Sequence, residues 1–302
     1  YMNKLLSTLF FVISMGNIGS AQIVTSSCSA PDSIKALYQD DADRLALRKT
    51  FDDNSVWKDS INLDTTLSNT ILGALLAVYN ADSLAARDTL VQLDVHQFPS
   101  LFIEEVYIYA DTNANWVKNL NAGIHPSGMK KLDSLIQKHN FSIIPEGYSP
   151  SSNAYSFKLL SQINLNVIFL GSLINNWDDI VYAFPDGAYG EGGTIEISLS
   201  NHFALLTYSY GWTDCILGCW YRRYWQFRVN LSDCSVQYLG SYGDVLPQNI
   251  LNLQQGKQKE IKVFPNPFTT TVELEGVEEG KEYKLLSIAG ATVKRGRIAN
   301  GK

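Results

Sequence analysis

Few features in this chain announce a chemistry. No run of lysine or arginine occurs, and 24 basic against 30 acidic residues leave a formal charge of −6, which argues against a nucleic-acid partner. There is no Gly-x-Ser-x-Gly elbow, phosphate loop or His-Glu-x-x-His pair, so the usual signatures of serine hydrolases, nucleotide enzymes and zinc peptidases are missing. The four histidines, His96, His125, His139 and His202, stand apart in sequence. Glu104, Glu105 and Asp111 offer carboxylates of the kind glycosidases use. Neighbours on a strand point to opposite faces, however, so Glu104 and Glu105 cannot be that pair. Asp186 and Glu191, in the glycine-rich loop from Gly187 to Gly193, lack the ligand spacing of an EF-hand. The sequence thus nominates no catalytic residue, no cofactor and no metal ligand.

Long apolar runs are also scarce. Met2-Asn3-Lys4, an apolar stretch from Leu5 to Met15 and then Gly19-Ser20-Ala21 read as a secretory signal, residues 1–21, cut before Gln22. That stretch is too short to span a bilayer, and no other transmembrane candidate follows. With 45% hydrophobic and 18% charged residues in 302, the remainder reads as globular, with room for two or three domains.

Only four cysteines are present, Cys28, Cys215, Cys219 and Cys234. An even number in an exported chain favours two disulfides, and four cysteines allow three pairings. If the strands around them form a meander, Cys215 and Cys219 share one connection while Cys234 sits at the opposite end of the hairpin. This favours Cys215–Cys219 and Cys28–Cys234; the rival is a zinc site built from three of these cysteines and His202.

Periodicity divides what lies between the ends. Residues 22–100 read as helical. One helix opens at Asp40, Asp41 and Asp43 and runs to Phe51, acids first and Arg48-Lys49 last, as the helix dipole prefers. A second is capped by Thr66 or Ser68, and a third spans Ala81 to Leu93 with Leu84, Leu90 and Val91 inward. Residues 101–186 read β-α-β-β-α-β, the order of a ferredoxin-like unit. Its helices are expected at Asn113–Leu120, Pro126–His139 and Asn164–Asn175. Its strands are expected at Leu101–Ala110, Phe141–Ile144 (ended by Pro145), Ala154–Leu160 and Asp179–Asp186. Residues 187–245 read as a disulfide-stapled β-meander: Thr194–Leu199, Phe203–Tyr210, Trp220–Asn230 and Cys234–Ser241. A polar, Gln-rich linker occupies 246–260. The expected class is α+β.

At the C-terminus, Pro265 and Pro267 flank Asn266, an extended entry that no helix tolerates. Short alternating strands with Gly turns follow, among them Tyr283 to Ile288 and, after Gly290, Thr292-Val293; they read as a small antiparallel β-sandwich. The run Val263 to Phe268, then Tyr283 to Ile288, then Gly290 to Val293 and Gly296, resembles the type A C-terminal sorting domain of the type IX secretion system. The resemblance covers residues 261–302 and implies an Ig-like β-sandwich and the type IX secretion machinery as partner. It also implies a destination outside a Gram-negative bacterium, secreted or on the outer-membrane cell surface. Such domains continue beyond the point reached at Lys302, so the resemblance implies a truncated sorting domain. A second resemblance lies in Ile180 to Asp186, which is similar to the last strand of subtilase prodomains, proteins that act as chaperones and inhibitors. Phe184 stands where the acidic residue before the proline usually is.

For a ligand, the strand Trp220–Val229 is the most suggestive surface. Trp220, Arg222, Tyr224 and Arg228 share one face, which would suit sugar stacking or anionic ligands. The plainer alternative is a sheet surface whose arginine stems cover aromatic rings. The expectation is a secreted or surface protein that binds a glycan or peptide without transforming it. The alternatives are a secreted hydrolase, peptidase or glycosidase, and a prodomain-like protease inhibitor.

Overall fold

The computed structural model describes residues 22–247 and the backbone of four short strands beyond them, Lys262–Phe264, Glu273–Glu275, Glu282–Leu286 and Thr292–Arg297. The leader 1–21, most of the linker 246–260, and Pro265, Asn266, Pro267 and Gly290 lie outside the described residues. The chain divides into two compact units, Tyr1–Val245 and Leu246–Lys302.

The first unit opens with β1 (Ile23–Val24), α1 (Asp32–Asp52), α2 (Thr65–Tyr79) and α3 (Ala85–Gln92). Next come β2 (Glu105–Asp111), α4 (Asn115–Asn121), α5 (Lys130–His139), β3 (Ser142–Ser149), β4 (Ala154–Leu160), α6 (Val167–Asn175) and β5 (Ile180–Pro185). It closes with β6 (Thr194–Leu199), β7 (Phe203–Trp212), β8 (Tyr221–Asn230) and β9 (Val236–Gly243). The class is α+β: two larger antiparallel sheets, ordered β3-β4-β2-β5 and β1-β9-β8-β7-β6. In the second unit β10 (Lys262–Phe264) pairs antiparallel with β11 (Glu273–Glu275), and β12 (Glu282–Leu286) with β13 (Thr292–Arg297).

Several expected boundaries move, each for a local reason. Helix α1 begins at Asp32, so Asp40, Asp41 and Asp43 lie inside it rather than at its start. Their carboxylates serve neighbouring elements instead of the helix dipole. Helix α2 is capped by Asp64, which accepts from the Leu67 N–H at 3.0 Å, while Ser68 is buried against Asp43. The third helix is shorter than expected; Leu84 and Leu90 are buried but Val91 faces solvent. Helix α5 starts only at Lys130, because Asp133 reaches back to the N–H groups of Ser127 and Gly128 at 2.8 and 2.9 Å and orders the preceding loop. Strand β3 continues through Pro145 to Ser149, with a register shift between Pro145 and Gly147. It is an edge strand, where a missing N–H is tolerated.

The inner face of the first sheet carries Val106, Ile108, Phe157 and Leu159, in one cluster with Trp116, Leu132 and Leu170 from the helices. Leu47 of α1 and Leu63 belong to the same cluster. The second sheet buries Ala204, Leu206, Tyr208, Trp225, Phe227 and Val229, directly opposed pairs on β7 and β8; α2 packs on β8 and α1 touches β6. Helix α1 therefore lies between the sheets and is buried on more than one side, including Tyr38, Asp41, Asp43, Leu45, Leu47 and Thr50.

Buried carboxylates need partners, and those of α1 find them on other elements. Asp41 accepts from the Gln97 N–H at 2.9 Å and from His96 Nδ1 at 2.6 Å. Asp43 accepts from Ser68 Oγ of α2, from Gln39 Nε2 at 3.1 Å and from Asn164 Nδ2 at 2.7 Å. From the same helix, Arg44 Nε donates to the Leu101 carbonyl ahead of β2, and Arg48 donates to the Ile195 carbonyl of β6.

The disulfides are Cys28–Cys234 and Cys215–Cys219, and no described cysteine is free; the thiols a zinc site would need are thereby consumed. Cys28 lies against Gly73 of α2, and the adjoining Ser26 hydroxyl donates to the Ala77 carbonyl. The bridge thus ties this segment and α2 to the turn between β8 and β9.

Cys28–Cys234 joins residues 206 apart in sequence, and closing so long a loop restricts the unfolded chain strongly. Replacing both cysteines by alanine should lower stability by about 2–5 kcal/mol in urea denaturation; an unchanged midpoint would contradict this. A second expectation concerns pH. His96 is held above its ordinary value of 6.5, first by the hydrogen bond to Asp41, with burial opposing. The folded protein therefore binds this proton more tightly than the unfolded chain. The resulting stability is complete below the unfolded value and is lost as pH rises through the higher folded value. Urea midpoints measured from pH 5 to 9 should fall across that window, and His96→Gln should flatten the decline.

Candidate functional site

The strand singled out by sequence turns out to be largely occupied with its own neighbours. Trp225, Phe227 and Val229 of β8 face the core, which leaves Arg222, Tyr224 and Arg228 on the opposite face. Arg222 Nη1 donates to the Gly192 carbonyl at 3.0 Å and to Ser209 Oγ at 2.9 Å, while Nη2 meets Glu191 Oε2 at 2.8 Å. Its side chain is only 16% exposed. Glu191 is held below the usual carboxylate range, first by the Cys219 N–H and then by Arg222. Tyr224 stacks on Tyr242 at 4.7 Å between ring centroids, 7° from parallel. The Arg228 guanidinium lies 3.7 Å over the Phe203 ring. Of the four nominated residues, Arg222 and Tyr224 are half-buried, Arg228 is exposed, and Trp220, at 71% exposure, precedes β8 rather than sharing its face. The arginine-over-aromatic alternative describes Arg228, and an internal ion pair describes Arg222.

Other nominated groups separate as well. Glu105 and Asp111 stand at opposite ends of β2, roughly 20 Å apart at 3.3 Å per residue, and Glu105 pairs with Lys158 at 3.3 Å. His96 is not isolated in space: Asp41 and Asp94 flank its ring. His139 lies against Phe141 and His202 against Phe203. On the outer face of the first sheet, Tyr107, Tyr109, Tyr182 and Phe184 stack on one another, with Tyr109–Tyr182 closest at 4.4 Å.

A different concavity gathers polar groups that face outward. It is a cleft of about 720 Å³ between α1, the start of α2 and the segment 162–164. Asp40 and Asp43 line one wall and Ser68 and Asn69 another; Trp57, Asn62, Gln162 and Asn164 add to it, beside the apolar Leu63 and Ile163. Asn164 Nδ2 donates to both carboxylates, at 2.9 Å to Asp40 and 2.7 Å to Asp43. The walls are fixed by Asn166, which is buried. Its side chain donates to the carbonyls of Trp57 and Lys58, its Oδ1 accepts from Phe169 N to cap α6, and its N–H donates to the Ile61 carbonyl at 2.8 Å. Trp57 sits on the short 3₁₀ turn Val56–Asp59, whose N-cap Ser55 accepts from the Trp57 N–H. The side-chain amides of Asn62, Asn69 and Gln162 make no hydrogen bond to another described residue. No lysine, arginine or histidine lines the cleft.

Sequence reasoning missed this site. In the sequence Asp43 reads as a dipole residue and Asn164 as a helix start, and Trp57 belongs to no motif. The signal available was Trp57 itself, a large ring in the polar run from Asp52 to Asn62. No protein-family model matches the chain, and no curated protein or solved structure matches it.

The Arg222 cluster yields a test of its own. Arg222→Met leaves the Gly192 carbonyl without its donor and Glu191 with the Cys219 N–H alone, and should cost about 1–3 kcal/mol in urea denaturation. Glu191→Gln, at a half-exposed partner, should cost clearly less. Equal effects would mean that Arg222 acts only through the ion pair.

Proposed function

We propose that this chain is an exported binding protein whose recognition site is the cleft between α1, α2 and residues 162–164, and whose ligand is neutral and rich in hydroxyl groups, as a saccharide is. In this reading residues 261–302 engage type IX secretion machinery, which delivers the protein to the surface of a Gram-negative cell or to the medium. Two disulfides favour an oxidising compartment, and the antiparallel strand pairs of the second unit suit a small β-module. A ferredoxin-like reading of 101–186 draws support from its strand order: the first strand, β2, sits between the third and fourth, β4 and β5.

One observation carries the ligand assignment: the cleft offers free amides, carboxylates and a Trp57 ring, with no cation among its lining residues. Amides both donate and accept, carboxylates accept from hydroxyls, and an aromatic ring takes the apolar face of a sugar. An anionic ligand would meet Asp40 and Asp43 unfavourably. Binding is favoured over hydrolysis because Asp43 already accepts on both oxygens, from Gln39 and Ser68 on one and from Asn164 on the other. With both oxygens held by the protein's own donors, Asp43 is not presented to a substrate bond as a general acid.

The test is a glycan array followed by calorimetry on the mature protein. A neutral oligosaccharide should bind, and Trp57→Ala and Asn164→Ala should each weaken it by about tenfold or more, equivalent to 1.4 kcal/mol. Selection of anionic glycans only, or wild-type affinity in both variants, would overturn the assignment.

A further inference from the structure

The disulfide-closed loop Cys215–Cys219 presents its apolar residues outward. Ile216 is 80% exposed and Leu217 87%, and beside the ring Trp220 is 71% exposed. Tyr189, at 98%, adjoins Gly190, where an added Cβ would lie 2.6 Å from the Cys215 carbonyl oxygen. Isolated exposed aliphatics are ordinary, but two at the tip of a crosslinked loop with two aromatic rings alongside form a patch that calls for a partner.

The loop is held from beneath. Gly211 of β7 makes room for the bridge, since a Cβ there would sit 2.5 Å from Cys219 Sγ. The Cys215 carbonyl accepts from the Glu191 N–H at 2.6 Å, and the Leu217 N–H donates to the Asp214 carbonyl at 3.2 Å. The Cys219 N–H donates to Glu191 Oε2 at 3.1 Å, and the Trp220 N–H to the Thr213 carbonyl at 3.1 Å. Three of the loop's backbone groups, the Cys215 carbonyl and the N–H groups of Leu217 and Cys219, are thus satisfied inside the protein, which lowers the cost of taking those groups out of water.

We propose that this loop docks the protein onto a zwitterionic phospholipid surface, with Ile216 and Leu217 entering the acyl boundary and Trp220 and Tyr189 at headgroup level. Aliphatic tips with Trp and Tyr above them follow the polarity profile of a bilayer interface. Ile216, Leu217 and Tyr189 protrude, each at least 80% exposed, and a deformable lipid layer accepts such tips without a matching pocket. Charge selects the lipid type: Arg222 is neutralised by Glu191, and Asp214 and Asp244 lie near the loop, so anionic headgroups gain nothing. This docking is independent of the polar cleft.

The test is co-sedimentation of the mature protein with phosphatidylcholine vesicles, together with tryptophan emission. Wild type should sediment with lipid and show a blue shift that Trp220→Phe removes. Ile216→Ser combined with Leu217→Ser should weaken partitioning about tenfold or more with an unchanged circular dichroism spectrum, whereas Leu37→Ser, on the exposed side of α1, should have no effect. Phosphatidylglycerol should not strengthen binding. Three results would overturn the proposal: no sedimentation of wild type, sedimentation unaffected by the double variant, or self-association without lipid that the double variant abolishes.

Discussion

Burying the acidic residues of α1 is the constraint from which the rest of the first unit follows. A carboxylate removed from water must be hydrogen-bonded or paired. Asp41 and Asp43 are satisfied by residues on different elements: His96 and Gln97 between α3 and β2, Ser68 on α2, and Asn164 ahead of α6. With Arg44 and Arg48 reaching Leu101 and Ile195, one helix connects both sheets through polar contacts as well as through Leu47. Apolar packing between sheets is tolerant of small shifts, whereas these contacts admit one arrangement. Of the two buried carboxylates, Asp43 also lines the polar cleft, beside Asp40, so the packing of α1 sets one wall of that cleft.

What could be read from the sequence was whatever rests on local pattern. Strand β6 alternates cleanly and β4 follows a turn-forming Ser-Ser-Asn, and both occupy the expected spans, Ala154–Leu160 and Thr194–Leu199. The meander order likewise placed the cysteines well enough to favour the pairs that form. Helix α1 resisted because it is buried on several sides and so shows no single apolar stripe; its acids looked like a dipole signature. The cleft was beyond reach for a different reason. Its central contact joins Asp43 to Asn164, residues 121 apart in sequence, and nothing in either neighbourhood announces the other. The Arg222 face failed in the opposite way: strand parity placed the side chains correctly, but Glu191, Gly192 and Ser209 had already engaged Arg222.

The two disulfides do different physical work. Cys28–Cys234 spans most of the first unit and fastens the segment beside α2 to the far end of the meander, restricting the unfolded chain. Cys215–Cys219 closes a ring too small to matter much for chain entropy; its consequence is the fixed presentation of Ile216 and Leu217. The crosslinks fit an extracellular protein, and the polar cleft and the stapled loop rest on separate sets of residues.

Hydrogen–deuterium exchange on Asp43→Ala tests the role of α1 most directly. The substitution leaves Ser68, Gln39 and Asn164 without their shared acceptor, at a cost of about 1–3 kcal/mol. If α1 joins the sheets as described, amide exchange should quicken roughly tenfold or more in both β2–β5 and β6–β9. Wild-type exchange in both sheets, or a change confined to one, would contradict it.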